Sequence, residues 1–403
     1  MPCEVQLHDA EPMFSERTKW NLAANKLSEA LARHRASGKR LFDLTASNPT
    51  DCGFDYQTET ILGALHNPAA LQYEPNPRGL EVARRAVAKY YGERGAAVSL
   101  DDIILTTSTS EAYSFVFRLL CNPGDELLIP APSYPLFAFL ADIQDVKLAR
   151  YPLIYDHGWQ IDFHGLEQAI NSRTKGVIVV HPNNPTGNFV KVQEMSRLNA
   201  ICSQHEMALI ADEVFLDFAL ASQGASSCAA NFSALTFTLS GLSKICGLPQ
   251  MKMAWLIASG PEELKQRALQ RLEVIADTYL SPNAPVQLVT PTFLELRRGF
   301  HQQVMARIHR NLAELDRQLA RQEVCTRLEL EGGWYAVLRV PAVQTDEELA
   351  IAFLETRDVY VHPGHFFDFG GEGYLVVSLI TLEVEFARGI SGMLAAFEEE
   401  KKI

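Results

Sequence analysis

Between residues 103 and 258 the chain keeps returning to one unit, an apolar run of three to six residues that stops on polar or turn-forming side chains. The runs Ile103–Leu105, Glu126–Ile129, Gly176–Val180, Ala208–Ala211, Thr236–Leu239 and Met253–Ala258 read as strands. Amphipathic helical patterns separate them. Ala112–Leu120, for example, has Ala112, Phe115, Val116, Leu119 and Leu120 on one face. Strands alternating with helices predict an α/β fold, a mainly parallel sheet covered by helices.

After about Thr290 the pattern changes. A long helix with Val304, Ile308, Leu312, Leu315 and Leu319 on one stripe precedes the strand-like GGWYAVLRV. Next come a helix opened by Thr345 and Glu348 at capping-box spacing, the short VYVHPG, the strand YLVVSL and a last helix. This predicts a smaller α+β domain. The first 55 residues, a helix and then extended FDLTASNP, have no evident partner in the middle region. The expected division is a large domain over 56–290 and a small one built from 1–55 and 291–403.

In open α/β sheets the ligand sits beyond the carboxyl ends of the strands, so the residues just after each apolar run test for a site. After LTT comes STSEA, after LLIP comes APSYP, after VIVVHP comes NNPTG, after ALIA comes DEVF, and after TFTLS comes GLSK. A helix start, an aromatic, an amide, an acid and a lysine are thereby delivered to one edge. Each also has a plain structural reading. Ser108 and Glu111 make a helix cap, Asn183–Gly187 is ordinary turn chemistry, Asp212-Glu213 is a solvated pair, Tyr134 a packed loop aromatic, and Lys244 a surface lysine. Their order fits one chemistry, that of pyridoxal 5′-phosphate (PLP). PLP needs a lysine for a Schiff base, an acid at its pyridine nitrogen, and a helix N-terminus for its phosphate dianion.

Composition narrows the partners. Lys plus Arg number 36 against 49 Asp plus Glu, a formal charge of −13, which argues against a nucleic-acid or anionic-membrane surface. With 47% hydrophobic and 21% charged residues the chain is an ordinary globular one. The N-terminus carries acids throughout and does not read as a signal peptide. The longest uncharged run, Phe218–Ser243, is broken by polar residues and is no membrane span. The seven cysteines (Cys3, Cys52, Cys121, Cys202, Cys228, Cys246, Cys325) have no C-x-x-C pair, and are expected to be reduced thiols of a cytoplasmic protein without a metal site.

The run Tyr73 to Gly79, then TTSTSEA, NPGDELLIPAPSYP, HPNNPTG, DEVF and SGLSK resemble the class I/II aminotransferases of PLP fold type I, in the family's order, from about residue 40 to 290. The likeness continues more weakly through GGWYAVL and VHPG. It implies a seven-stranded, mainly parallel sheet with a smaller α+β domain. It also implies Lys244 as Schiff-base lysine and proton shuttle, Asp212 at the pyridine nitrogen, Asn184 at the phenolic oxygen and Tyr134 stacked on the ring. Thr109 and Ser110 would hold the phosphate, Tyr73 the phosphate of a neighbouring subunit in a homodimer with active sites at the interface, and Ser47 would lie near the substrate carboxylate.

The chain departs from the family at four places. Lys252 stands where an arginine usually meets the phosphate, keeping the charge without the planar fork. Gly241 replaces a serine, for which Ser240 or Ser243 is a candidate substitute. Phe215 replaces a tyrosine and cannot bond the phenolic oxygen. Val376 stands where the family has the arginine that binds the substrate α-carboxylate; Arg339, Arg78 and Arg17 are candidate replacements. The expected activity is amino transfer from a neutral or hydrophobic amino acid to a 2-oxo acid. Trp20, Tyr73, Trp334, Tyr335, Phe366 and Phe367 are candidates for its pocket or for the core. The missing arginine gives weight to another fold-type I reaction, β-elimination (C–S lysis) or decarboxylation. A PLP-binding regulator would need a DNA-binding domain for which about 40 N-terminal residues leave little room.

Overall fold

The computed structural model describes residues 13–221 and 226–400. Cys3 and the first dozen residues lie outside the described residues, as does part of the uncharged run beginning at Phe218. In chain order the strands are β1 (Phe42–Asp43), β2 (Ile103–Thr106), β3 (Glu126–Ala131), β4 (Lys147–Tyr155), β5 (Trp159–Ile161), β6 (Thr174–Val180), β7 (Ala208–Asp212), β8 (Thr236–Gly241) and β9 (Ala254–Ser259). Then come β10 (Thr326–Arg327), β11 (Tyr335–Arg339), β12 (Val359–Tyr360), β13 (His362–Pro363) and β14 (Tyr374–Ser378).

The large sheet has the order β2-β9-β8-β7-β6-β3-β4-β5. Its centre is parallel: β3 with β4 and β6, β6 with β7, and β7 with β8. Strands β7, β8 and β9 are buried along their whole length, because helices cover both faces, and this is why they read as unbroken apolar runs. Strand β4 was not legible that way. It lies next to the sheet edge, its residues alternate between exposed and buried, and it carries Lys147, Arg150 and Pro152. Its hairpin partner β5 adds an eighth, three-residue strand to the seven expected.

Strand β9 runs antiparallel to both β8 and β2, so β2 points the same way as β8. The carboxyl ends of β2, β3, β6, β7 and β8 therefore open on one edge, together with the first residue of β9, Ala254. That edge is where the sheet positions a site.

A second sheet, β10-β11-β14-β13, is antiparallel, and β1 pairs in parallel with β12. The Thr345–Glu348 capping box is present at the start of helix Asp346–Arg357, with bonds of 3.1 and 3.2 Å. On the 36-residue helix Ala284–Leu319, Val304, Ile308, Leu315 and Leu319 are buried. That helix runs unbroken through Pro291, so residue 290 falls inside it. No helix among the described residues is long and apolar enough to cross a membrane.

Candidate active site

At the shared strand edge lies a cavity of about 390 Å³. Ser47, Thr109, Ser110, Tyr134, Asn184, Asp212 and Lys244 all line it, contributed by six separate segments of the chain. Sequence neighbours do the positioning.

Helix Thr109–Leu120 starts directly behind β2. The Ser108 hydroxyl accepts from Glu111 N–H at 3.1 Å. The return bond differs from a simple capping box: the Glu111 carboxylate accepts from the backbone N–H and hydroxyl of Thr107, at 2.7 and 3.0 Å. These caps leave the first turn, Thr109 and Ser110, with backbone N–H groups that have no partner within the helix, and both residues face the cavity.

The HPNNPTG segment divides its work. Asn183 donates from Nδ2 to Pro132 O at 3.0 Å and to the Thr186 hydroxyl at 2.7 Å, bracing the loop from inside. Gly187 takes a left-handed φ of +72°, and a Cβ there would lie 2.1 Å from Leu330 Cδ1. Held this way, Asn184 reaches the cavity, and its Oδ1 is buried without a hydrogen-bond partner.

Asp212 ends β7. Its Oδ2 accepts from the Tyr113 hydroxyl at 2.9 Å and its Oδ1 from Val214 N–H at 3.0 Å. Burial pushes its carboxyl up to about 6 against the pull of those donors and of Lys244. Lys244, in the short helix after β8, donates from Nζ to Ser47 O at 3.3 Å and sits 4.9 Å from the centre of the Trp334 ring. Burial lowers it to about 8, with Cys52 and Asp212 opposing.

Three residues marked in the sequence stand elsewhere. Lys252 is exposed just before β9, with a left-handed φ of 51°. Tyr73 is 74% exposed. Arg339 ends β11, its guanidinium 5.7 Å from the centre of the Tyr374 ring. The other candidate cations are engaged too: Arg78 with Glu273 at 2.7 Å and Asp101 O, Arg17 with Asp145. Val376 is wholly buried in β14.

Gly241 has a packing reason. A Cβ there would lie 2.8 Å from Ala254 Cβ and 2.9 Å from Met253 O. Of the two candidate substitutes for its serine, Ser243 lines the cavity while Ser240 donates to Glu213 O at 3.3 Å. Phe215 lines the cavity and packs edge-on to Trp334. Of the six aromatics singled out, Tyr335, Phe366 and Phe367 line it; Trp20 instead donates to Asp142 at 2.9 Å.

Sequence reasoning missed Tyr113 and His362. Tyr113 was detectable as the residue one helical turn beyond Thr109. His362 stands in the VHPG run, but that likeness gave it no role; the pairing of β13 with β14 places it beside the cavity.

The residues present fit PLP: a helix start for a dianion, a buried carboxylate short of a cationic partner, an amide on the cavity wall, and an amine of lowered basicity. The family model described as "Aminotransferase class I and II" matches residues 41–383. Glutamate-pyruvate aminotransferase AlaA of Escherichia coli (strain K12) is 29% identical over 282 residues, 69% of each chain. Alanine aminotransferase of Mycobacterium tuberculosis (strain ATCC 25618 / H37Rv) is 27% identical over 314 residues, 75% of this chain and 72% of that one. Among solved structures, an aminotransferase from Escherichia coli superposes with a TM-score of 0.83 at 24% identity, covering 95% of this chain and 97% of that chain.

Proposed function

Because this chain belongs to the class I and II aminotransferase family, whose members are PLP-dependent transferases, we propose that it moves the amino group of a neutral or hydrophobic amino acid to a 2-oxo acid. One observation carries the reading: Lys244, Asp212, Asn184 and the helix start at Thr109 converge on a single cavity. The relatives are named for alanine, a neutral amino acid, and for the pair of glutamate, an acidic one, and pyruvate, a 2-oxo acid.

When bound, PLP supplies the electron sink that lets a bond at the amino-bearing carbon break. Lys244 Nζ would hold the cofactor, and its amine would take up and return the proton at the donor's Cα. Its basicity near 8 leaves a neutral fraction for that task at physiological pH. Asp212 would meet the pyridine nitrogen, and a cationic N–H there would relieve the cost of a carboxylate whose hydrogen-bond donors are neutral. Tyr113 and Val214 N–H fix its orientation. Asn184, through its Nδ2 donor, would meet the phenolic oxygen, Tyr134 would cover the ring, and Thr109 and Ser110 would take the phosphate at the positive end of their helix. Tyr73, exposed and outside its own cavity, fits a role at a neighbouring copy's site in a homodimer.

The test mixes the cofactor-loaded protein with single amino acids and tracks the visible spectrum. Amino transfer leaves the cofactor in its amine form and releases one equivalent of oxo acid. Release of ammonia or carbon dioxide without that form would instead establish elimination or decarboxylation.

A further inference from the structure

Beside the groups assigned to the cofactor, the cavity is also lined by Ser47, Leu136, Tyr335, His362, Phe366 and Phe367. Among the described lining residues no arginine is present, and only Lys244 and His362 have side chains able to carry a positive charge. Ser47 meets Lys244 through its carbonyl and Tyr335 through its side chain. His362 is therefore the one cation-forming side chain left for whatever the substrate presents at that end.

Its position is set by strand register. On β14, Val376 occupies the place of the family's arginine, and its Cα partner on β13 is His362. Directly opposed residues of an antiparallel pair put their side chains on the same face. The imidazole thus stands beside the missing guanidinium and reaches the cavity that Val376 does not. Its ring centre lies 5.9 Å from that of Phe366 and 5.8 Å from that of Phe367, and its Nδ1 is buried without a hydrogen-bond partner. Burial lowers the imidazole to about 4, with Asp43 opposing, so it is a neutral hydrogen-bonding group. A neutral ring makes one directed bond where a guanidinium makes a charged, two-pronged one.

Resting on the transaminase reading above, we infer that His362 is the specificity-determining residue of the substrate end. It bonds the single carboxylate of a donor whose side chain is apolar or aromatic and lies against Phe366 and Phe367. A second carboxylate finds no further cationic side chain in the lining and is rejected by its desolvation cost.

The test measures, by calorimetry on the cofactor-loaded protein, the affinity for two unreactive probes, 3-phenylpropionate and succinate. The wild type is expected to bind 3-phenylpropionate the more tightly. His362→Phe should weaken that binding about tenfold, the loss of one hydrogen bond to a charged group, with the cofactor spectrum unchanged. His362→Gln, which keeps a donor, should recover most of it, and His362→Ala serves if the phenylalanine is not tolerated. Affinity within twofold of wild type in His362→Phe or His362→Ala, or a wild-type preference for succinate, would overturn the inference. Oxo-acid formation from phenylalanine is measured alongside. If the wild type forms none while probe binding still depends on His362, the transaminase reading fails and the role of His362 stands. If turnover is normal and KM is insensitive to His362, the reverse holds.

Discussion

Lys244 and Asp212 are both ionisable groups held away from water, and burial shifts them in opposite directions. The neutral fraction of Lys244 Nζ rises tenfold per pH unit and levels off at its value of about 8. The rate at which cofactor-free protein captures PLP should track that curve, read from the growth of visible absorbance; a profile still climbing above pH 10 would contradict the assignment. Asp212 has the converse sign. Its carboxyl is raised from 3.8 to about 6, so between those values the folded protein holds a proton that the unfolded chain releases, and stability falls as pH rises through that window. Asp212→Asn should stabilise the cofactor-free protein at pH 7 by about 1–3 kcal/mol in urea denaturation, while sharply weakening cofactor binding. A variant that loses stability would show that the carboxylate is satisfied by its own neighbours.

At the scale of the element, the loops after the strands divide bracing from contact. Asn183 and Thr186 hold one another so that Asn184 can reach outward. The β8–helix junction has no such slack, because Gly241 is pressed against the first residues of β9. Gly241→Ser, which restores the residue usual in the family, should therefore destabilise the protein by about 1–3 kcal/mol, the cost of overpacking; an unchanged thermal midpoint would refute the close approach. The strand-end residues were legible in the sequence because chain order alone carries them to one edge once the sheet is parallel. Strand β4 was not, since a strand near the edge exposes half its residues and loses the apolar signature. His362 was hidden for a different reason: its place depends on a strand partner 14 positions away, which local pattern cannot report.

For the whole molecule, the two chain ends meet where β1 pairs with β12, and Ser378 ties β14 to the N-terminal segment through Leu44 O and Ala46 O. Buried Arg307, on the long helix, donates to the carbonyls of Cys52, Ile380 and Thr381 at 3.2–3.4 Å, joining the same two ends. We propose that these ends form one smaller unit against a cofactor unit spanning roughly 56–290, the long helix serving both. Ser378→Ala removes the hydroxyl donor of the half-buried Ala46 carbonyl and should lower stability by about 1 kcal/mol by urea denaturation; no change would mean that this tie is dispensable. The chain's overall charge of −13 does not oppose the dianionic ligand proposed, because the helix start and hydroxyls at the cavity would supply its binding locally.

The central claim is that one lysine in one cavity carries the chemistry, and borohydride reduction of the PLP-loaded protein with subsequent peptide mapping tests it most directly. The account predicts a single pyridoxyl-modified peptide with the label on Lys244, and none in Lys244→Ala. Label on any other lysine, or no covalent label in the wild type, would contradict it.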